Sequence, residues 1–149
     1  MEHAFQNEDV DAGMKLEYGI EQDDFSRAGE ASSKIKKLLK QLGIDSAIIR
    51  KIAIACYEAE INVVIHSQGG KINVYVKSER IEVHVEDEGP GIENVELAMT
   101  EGFSTATSAI RELGFGAGMG LPNMKRCSDE FFIESKLGES TRLKMIWNL

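Results

Sequence analysis

Cysteine is scarce in this 149-residue sequence: Cys56 and Cys127 lie far apart without paired spacing, and the three histidines do not cluster with them. That pattern excludes a disulfide framework, offers no zinc-site spacing and fits a reducing cytoplasm. Positive charge is the second shortage. Lys and Arg total 17 against 25 Asp and Glu, a net charge of −8, whereas nucleic-acid and anionic-membrane partners draw their affinity from a basic surface. Neither partner is expected, and any phosphate must be held by local geometry. Long apolar runs are missing too. No stretch is long enough to span a bilayer, and Met1 to Val10 carries acids where a secretory signal carries positive charge and an apolar run. The expected location is the cytoplasm. What is present, 42% hydrophobic and 28% charged residues over the length of one ordinary domain, is the composition of a folded protein with a core. We expect residues 1–13 as a disordered acidic leader and residues 14–149 as one domain, undivided by repeat, low-complexity tract or linker.

Past the leader, Met14, Leu16, Tyr18 and Ile20 alternate with Lys15, Glu17 and Gly19, the period of a half-buried strand. Asp23 or Asp24 is placed to cap a helix whose Ala28, Ala31, Ile35, Leu38, Leu39 and Leu42 recur at helical spacing and which Gly43 stops. A second helix starts near Asp45 and Ser46 and runs to about His66, where Gly69 and Gly70 break it. Being apolar nearly all round, it is expected to be buried. Ile72, Val74 and Val76, then Ile81, Val83 and Val85, alternate with polar residues on either side of the turn 78–80, the pattern of a hairpin. Asp87-Glu88-Gly89-Pro90-Gly91 ends regular pairing, and a short helix is expected over 95–100. Residues 101–120 have little hydrophobic period and much Gly, Ser, Thr and Ala, which reads as a long functional loop, a lid. A helix from Leu121 to about Cys127 follows, with Pro122 in its first turn, where no intrahelical bond is lost. Strands near 131–136 and 141–147 close the chain.

Three sets of polar residues stand out against this pattern. Glu58, Asn62 and His66 fall four residues apart and line one stripe of the apolar helix. A helix edge reaching solvent explains one such residue better than three in register, because burying an unpartnered carboxylate is costly. Glu60 lies on a different face and is expected in solvent. Asp87 shares the phase of Ile81, Val83 and Val85, so a regular strand aims it inward; read alone, it is an acid starting a turn before glycine. Thr141 shares the phase of Leu143 and Met145 and, read alone, is β-branched packing. Together Asp87 and Thr141 offer an acceptor and a hydroxyl within an apolar slot, the polar minority that orients a flat ligand.

The run Gly114-Phe115-Gly116-Ala117-Gly118-Met119-Gly120 leads into a helix, whose bare N–H groups and positive dipole end favour an anion. No Gly-Lys-Ser/Thr follows it and no strand feeds it, so it is neither a Walker loop nor a dinucleotide fingerprint. Lys125 and Arg126 in the following helix are placed to add positive charge to this cradle, although exposed basic residues on a helix are usually just solvated.

The ordered set Glu58-Ala59-Glu60-Ile61-Asn62, then Asp87-Glu88-Gly89-Pro90-Gly91, then Gly118-Met119-Gly120-Leu121 resembles the N, G1 and G2 boxes of the GHKL ATPases. The resemblance extends from about Met14 to Trp147. The runs Gly102-Phe103-Ser104-Thr105 and Leu121-Pro122-Asn123-Met124-Lys125-Arg126, with Asp129-Glu130-Phe131, resemble the anti-sigma-factor serine/threonine kinases, nearest to the switch kinases of stress-signalling complexes. That resemblance implies an α+β fold, a two-layer sandwich with a mixed, mainly antiparallel sheet and helices on one face, the Bergerat ATP-binding fold. It assigns Glu58 as general base and Asn62 as the ligand of a Mg²⁺ that bridges the phosphates. Asp87 would accept from the adenine amino group, with Thr141 beside it through water. Gly89 and Gly91 would let the backbone approach the base. Gly116, Gly118, Met119, Gly120 and Leu121 would wrap the phosphates, with Lys125 contributing charge. His66 matches a common family histidine, for which a structural hydrogen bond is expected, and Arg111 is the nearest arginine for a phosphate contact. Ser140 departs from the pattern, standing where the family commonly has Gly before the Thr, so the turn into the last strand is expected to differ.

The function implied is transfer of the γ-phosphoryl of ATP, with Mg²⁺, to Ser or Thr on a STAS-domain anti-sigma antagonist, a chemistry that asks a protein chiefly for positioning and charge compensation. A sigma factor and a serine phosphatase are the other partners the resemblance suggests. The alternative is a nucleotide-dependent binding module that sequesters the sigma factor or activates the phosphatase without essential catalysis. Homodimers are common in that group, although no exposed apolar stripe in the sequence demands one.

Overall fold

The computed structural model describes residues 13–22, 24–92, 94–100 and 120–149. Expectations for the leader 1–12, for Asp23 and for the segment 101–119 lie outside these residues, and with them Gly102 to Thr105, Arg111, Gly116, Gly118 and Met119. In chain order the elements are β1 (Met14–Ile20), a 3-10 turn (Phe25–Arg27), α1 (Glu30–Gln41), α2 (Ser46–His66), β2 (Gly70–Val76), β3 (Arg80–Asp87), α3 (Val95–Ala98), α4 (Gly120–Cys127), β4 (Glu130–Glu134) and β5 (Arg142–Asn148). The five described strands form one sheet in the order β1-β2-β3-β5-β4. Every described neighbour pair is antiparallel, where a mixed sheet was expected.

Register follows hydrophobic phase. Val76 pairs with Ile81 and Gly70 with Asp87 across the β2–β3 hairpin, and Val85 pairs with Leu143 of β5. One sheet face therefore presents Ile72, Val74, Ile81, Val83, Leu143 and Met145 to Ile35 and Leu39 of α1, Ile52, Ala55 and Ala59 of α2 and Met124 of α4. Each fully buried aliphatic side chain here contributes about 1.5–3 kcal/mol. The opposite phase is not simply solvated. Glu82 is 0% exposed, held by Lys77 at 2.9 Å, Arg80 at 2.6 Å and His84 at 3.0 Å. The His84 ring in turn packs on Tyr75 at 4.6 Å.

Helix α2 starts where its cap predicts, with an Asp45 carboxylate oxygen accepting from the Ala47 amide at 3.1 Å. It is not buried all round. Ile54 and Tyr57 stand 42% and 40% exposed on its outer side, because a two-layer fold gives α2 one sheet to cover. Helix α1 corrects the sequence reading in two ways. It does not begin from an Asp cap: Asp24 precedes the 3-10 turn and accepts from Ser26 Oγ, and α1 follows Gly29, whose φ of 94° suits glycine but supplies no capping side chain. The cap comes from α2 instead. Glu60, expected in solvent, is 3% exposed and accepts from the amides of Ala31 at 3.2 Å and Ser32 at 3.0 Å. A carboxylate at the start of α1 satisfies two otherwise orphaned donors and complements the helix dipole. Among the described residues no helix is long and apolar enough to cross a membrane.

Candidate functional site

Helical spacing on α2 lines up Glu58, Asn62 and His66, and α4 begins directly against this stripe. A Cβ added to Gly120 would lie 3.2 Å from Asn62 Oδ1 and 3.3 Å from Glu58 Oε2, so a side chain there would crowd both. The start of α4 and the polar stripe of α2 thus form one place, although 57 residues of sequence separate Asn62 from Gly120. The next residues anchor that contact. Leu121 and Pro122 are buried, Leu121 within the core cluster, which leaves its backbone rather than its side chain for any ligand. Lys125 is exposed on the last turn of α4, and no described contact joins it to Glu58 or Asn62.

Glu58 is half-buried. Burial pushes its carboxyl above the ordinary Glu range, and a side-chain hydrogen bond from Asn123 pulls the other way. A carboxylate whose affinity for protons is raised by burial is a stronger base than a solvated one. Burial pushes the His66 imidazole down, toward the neutral form. Asn123, to which the sequence analysis gave no role, is the residue it missed at this place. Its only signal there is its position three residues beyond Gly120, on the same helical row.

The second half of the site is built where β3 ends beside the start of β5. Asp87 Oδ1 accepts from the Gly89 amide and from the Thr141 amide, both at 2.9 Å, and the Asp87 amide donates to the Thr141 carbonyl at 3.0 Å. Among the described residues Oδ2 has no hydrogen-bond partner. Burial raises the Asp87 carboxyl above the usual range, the two backbone donors lower it, and neighbouring Glu86 raises it. Thr141 is 6% exposed, and its hydroxyl lies 2.6 Å from Ser135 Oγ, which accepts from the Ile92 amide at 2.8 Å. The strand phases therefore do bring Asp87 and Thr141 together, with Thr141 lying one residue before β5.

Gly89 and Gly91 have a reason beyond ligand approach. Both occupy left-handed backbone, φ 105° and 85°, and a Cβ on Gly91 would overlap the carbonyl oxygens of Lys136 and Glu139. The turn after β3 is thus stacked on the turn before β5. In that second turn Gly138, at φ 85°, takes the left-handed position, so Ser140 can replace the expected glycine.

These groups suit a nucleotide. The open acceptor Oδ2 of Asp87 fits an exocyclic amino group, and the close, side-chain-free approach of Gly120 fits a phosphate at a helix start. Asn62 supplies a hard amide oxygen of the kind Mg²⁺ takes. Among the described residues no three His, Cys, Asp or Glu gather to hold a metal, and Mg²⁺ commonly takes only one or two protein ligands beside phosphate and water. A separate cavity of about 270 Å³ between β1 and the start of α1 shares none of these residues, although Glu60 lines it.

Comparison with known proteins identifies the family. Residues 22–147 match the family model described as a histidine kinase-like ATPase domain. The chain is 31% identical over 115 residues to the serine/threonine-protein kinase RsbT of Bacillus subtilis, covering 74% of this chain and 80% of that one. It is 36% identical over 102 residues to the anti-sigma F factor of Caldanaerobacter subterraneus subsp. tengcongensis, covering 65% and 68% of the two chains. Two solved structures share the fold at a TM-score of 0.57. The RsbU and RsbW domains of Rv1364c from Mycobacterium tuberculosis are 17% identical, with 89% of this chain and 31% of that one covered. A chain of the SiaB-SiaC complex from Pseudomonas aeruginosa is 14% identical, with 88% of each covered. The chain belongs to the histidine kinase-like ATPase domain family, as its GHKL-like boxes imply.

Proposed function

We propose that this chain is an ATP-dependent serine/threonine protein kinase of the anti-sigma-factor type, acting on a STAS-domain partner in regulatory partner switching. The observation that carries the reading is the approach of Gly120 to Glu58 and Asn62, which sets a base, a metal-binding amide and a helix start around one small volume. Glu58 takes the proton of the partner's Ser or Thr hydroxyl as that oxygen bonds to the γ-phosphorus and the bond to the diphosphate leaving group breaks. Asn62 would hold Mg²⁺, which would supply charge compensation for the phosphates. Asp87 orients the adenine through Oδ2, Thr141 fixes Asp87, and Gly120 and Leu121 present backbone to the phosphates. A sigma factor, a serine phosphatase and a second copy of the chain are the further partners in this reading, and the cytoplasm is its setting. The test is phosphoprotein formation from the purified chain, Mg-ATP and a STAS-domain partner. Wild type should yield phosphoprotein, whereas Glu58→Ala should bind the partner equally and yield none. No phosphoprotein from wild type would end the kinase reading.

A second reading is favoured by the relatives named anti-sigma F factor. In it nucleotide sets the conformation and the output is sequestration. Retained signalling by an Asn62→Ala variant that cannot transfer phosphate would select it.

A further inference from the structure

We propose that Ser135 is a positioning residue that makes the Thr141 hydroxyl a fixed hydrogen-bond donor beside Asp87, and so sets the site's preference for a base with an acceptor nitrogen next to its amino group. The inference rests on the nucleotide reading of Asp87 and Thr141 and adds what chooses the base. Ser135 directly follows β4 and gathers three stretches of chain. Its Oγ accepts at 2.8 Å from the amide of Ile92, just past the glycine turn after β3, and lies 2.6 Å from Thr141 Oγ1 at the entry to β5.

The direction of the second bond follows from the hydrogen-bond inventory. A hydroxyl has one proton and two lone pairs, and the Ile92 amide can only donate, so it fills a lone pair of Ser135 and leaves the proton. A hydroxyl that accepts a bond becomes a better donor. The chain is therefore cooperative when it runs from Ile92 N–H through Ser135 O–H to Thr141 Oγ1. Run that way, it leaves the Thr141 proton unused. The rest of Thr141 is already fixed: its amide donates to Asp87 Oδ1 at 2.9 Å, its carbonyl accepts from the Asp87 amide at 3.0 Å, and it is 6% exposed. A β-branched side chain has little freedom at χ1. The hydroxyl rotor is the motion that remains, and Ser135 sets it. Among the described residues neither the Thr141 proton nor Asp87 Oδ2 has a partner, so a donor and an acceptor stand side by side. Adenine presents the complementary pair, an amino group adjoining a ring nitrogen with a lone pair, whereas guanine reverses both. A water between Thr141 and the ring preserves the match, because a water that accepts from Thr141 has protons to pass on.

Calorimetry with Mg-ATP and with Mg-1-deaza-ATP, in which that ring nitrogen is replaced by C–H, separates orientation from mere support of the turns. Wild type should bind ATP roughly tenfold more tightly than the analogue, the worth of one good hydrogen bond. Ser135→Ala should lose about five- to tenfold for ATP and stay within about twofold for the analogue, so the preference collapses. Ser135→Thr, which keeps a hydroxyl, should restore it. Ser135→Cys, similar in shape but a weak donor, should repeat the loss if the alanine variant folds poorly. Added to Thr141→Val, which has no hydroxyl to orient, Ser135→Ala should leave the ratio of the two affinities unchanged. A wild type that binds both nucleotides alike, or Ser135 variants that weaken both equally and keep the preference, would overturn the role of Ser135 and leave the nucleotide reading standing. No heat from wild type with Mg-ATP would strike that reading and this inference together.

Discussion

Glu58 and Glu60 stand two residues apart on α2, on opposite sides of the helix, and the fold treats them differently. Glu60 is 3% exposed, and both its oxygens are taken by backbone amides at the start of α1. Glu58 is half-buried, lies against the bare backbone of Gly120, and is pushed by burial toward holding a proton. Both are acids withdrawn from water. The difference is that Glu60 spends its acceptor capacity on the fold, whereas among the described residues Glu58 keeps acceptor capacity to spare. Burial of a carboxylate therefore does not by itself mark function. What marks it is acceptor capacity the fold leaves unused.

The largest effect should come from the unspent acid. Glu58→Gln should cut phosphoryl transfer by about 10²–10⁴-fold, the usual contribution of a general base, with thermal stability unchanged or slightly raised. A large loss of folding stability in that variant would erase the contrast with Glu60. The reverse pattern is expected at Glu60, where Glu60→Ala should cost roughly 2–4 kcal/mol in urea unfolding, because two buried amides lose a charged acceptor. Nucleotide affinity per folded molecule should be retained. A Glu60→Ala protein that is stable but cannot bind Mg-ATP would show that the two acids were assigned the wrong way round.

Glu82 sharpens the comparison as a third buried acid, satisfied by cations rather than by amides. Burial works to raise its carboxyl, but the bonds from His84 and Lys77 and the charges of Lys144 and Lys77 outweigh it and hold the carboxyl far below the usual Glu range. Because the folded state binds that proton less tightly than the unfolded chain, the stability it contributes is fully present above the ordinary Glu value. It is lost as pH falls through the folded one. Glu82→Gln should therefore destabilise by roughly 1–3 kcal/mol near neutral pH, by loss of charged hydrogen bonds. Denaturant melts across pH 7 to 3 should show the gap to wild type narrowing below about pH 4.3, the ordinary Glu value. A constant gap would mean the charge plays no part.

Much of this was legible in the chain. β1, the β2–β3 hairpin and α2 follow from period-two and helical spacing with an Asp45 cap, because each is a local signal. The meeting of Asp87 and Thr141 followed from strand phase alone, since a regular ladder transmits phase across the sheet. The start of α1 was not legible, because its cap comes from Glu60, some 30 positions along the chain. For the same reason Glu60 was misplaced: helical spacing says which residues share its side of α2 but not which helix packs there. Asn123 gave little sign because a polar residue on a short helix is usually solvated, and helical spacing from Gly120 does not say that α4 docks on α2.

The central claim is that the acceptor capacity left free in this fold is shaped for a nucleotide, and Asp87 tests it most directly. Asp87→Asn keeps an oxygen for the Gly89 and Thr141 amides but turns the other acceptor into a donor facing the adenine amino group. Titration calorimetry of Mg-ATP into both proteins should give a clear binding heat for wild type and at least roughly tenfold weaker binding for Asp87→Asn, the loss of about 1.4 kcal/mol, at closely similar melting temperatures. No heat from wild type, or equal affinity in the two proteins, would contradict the account.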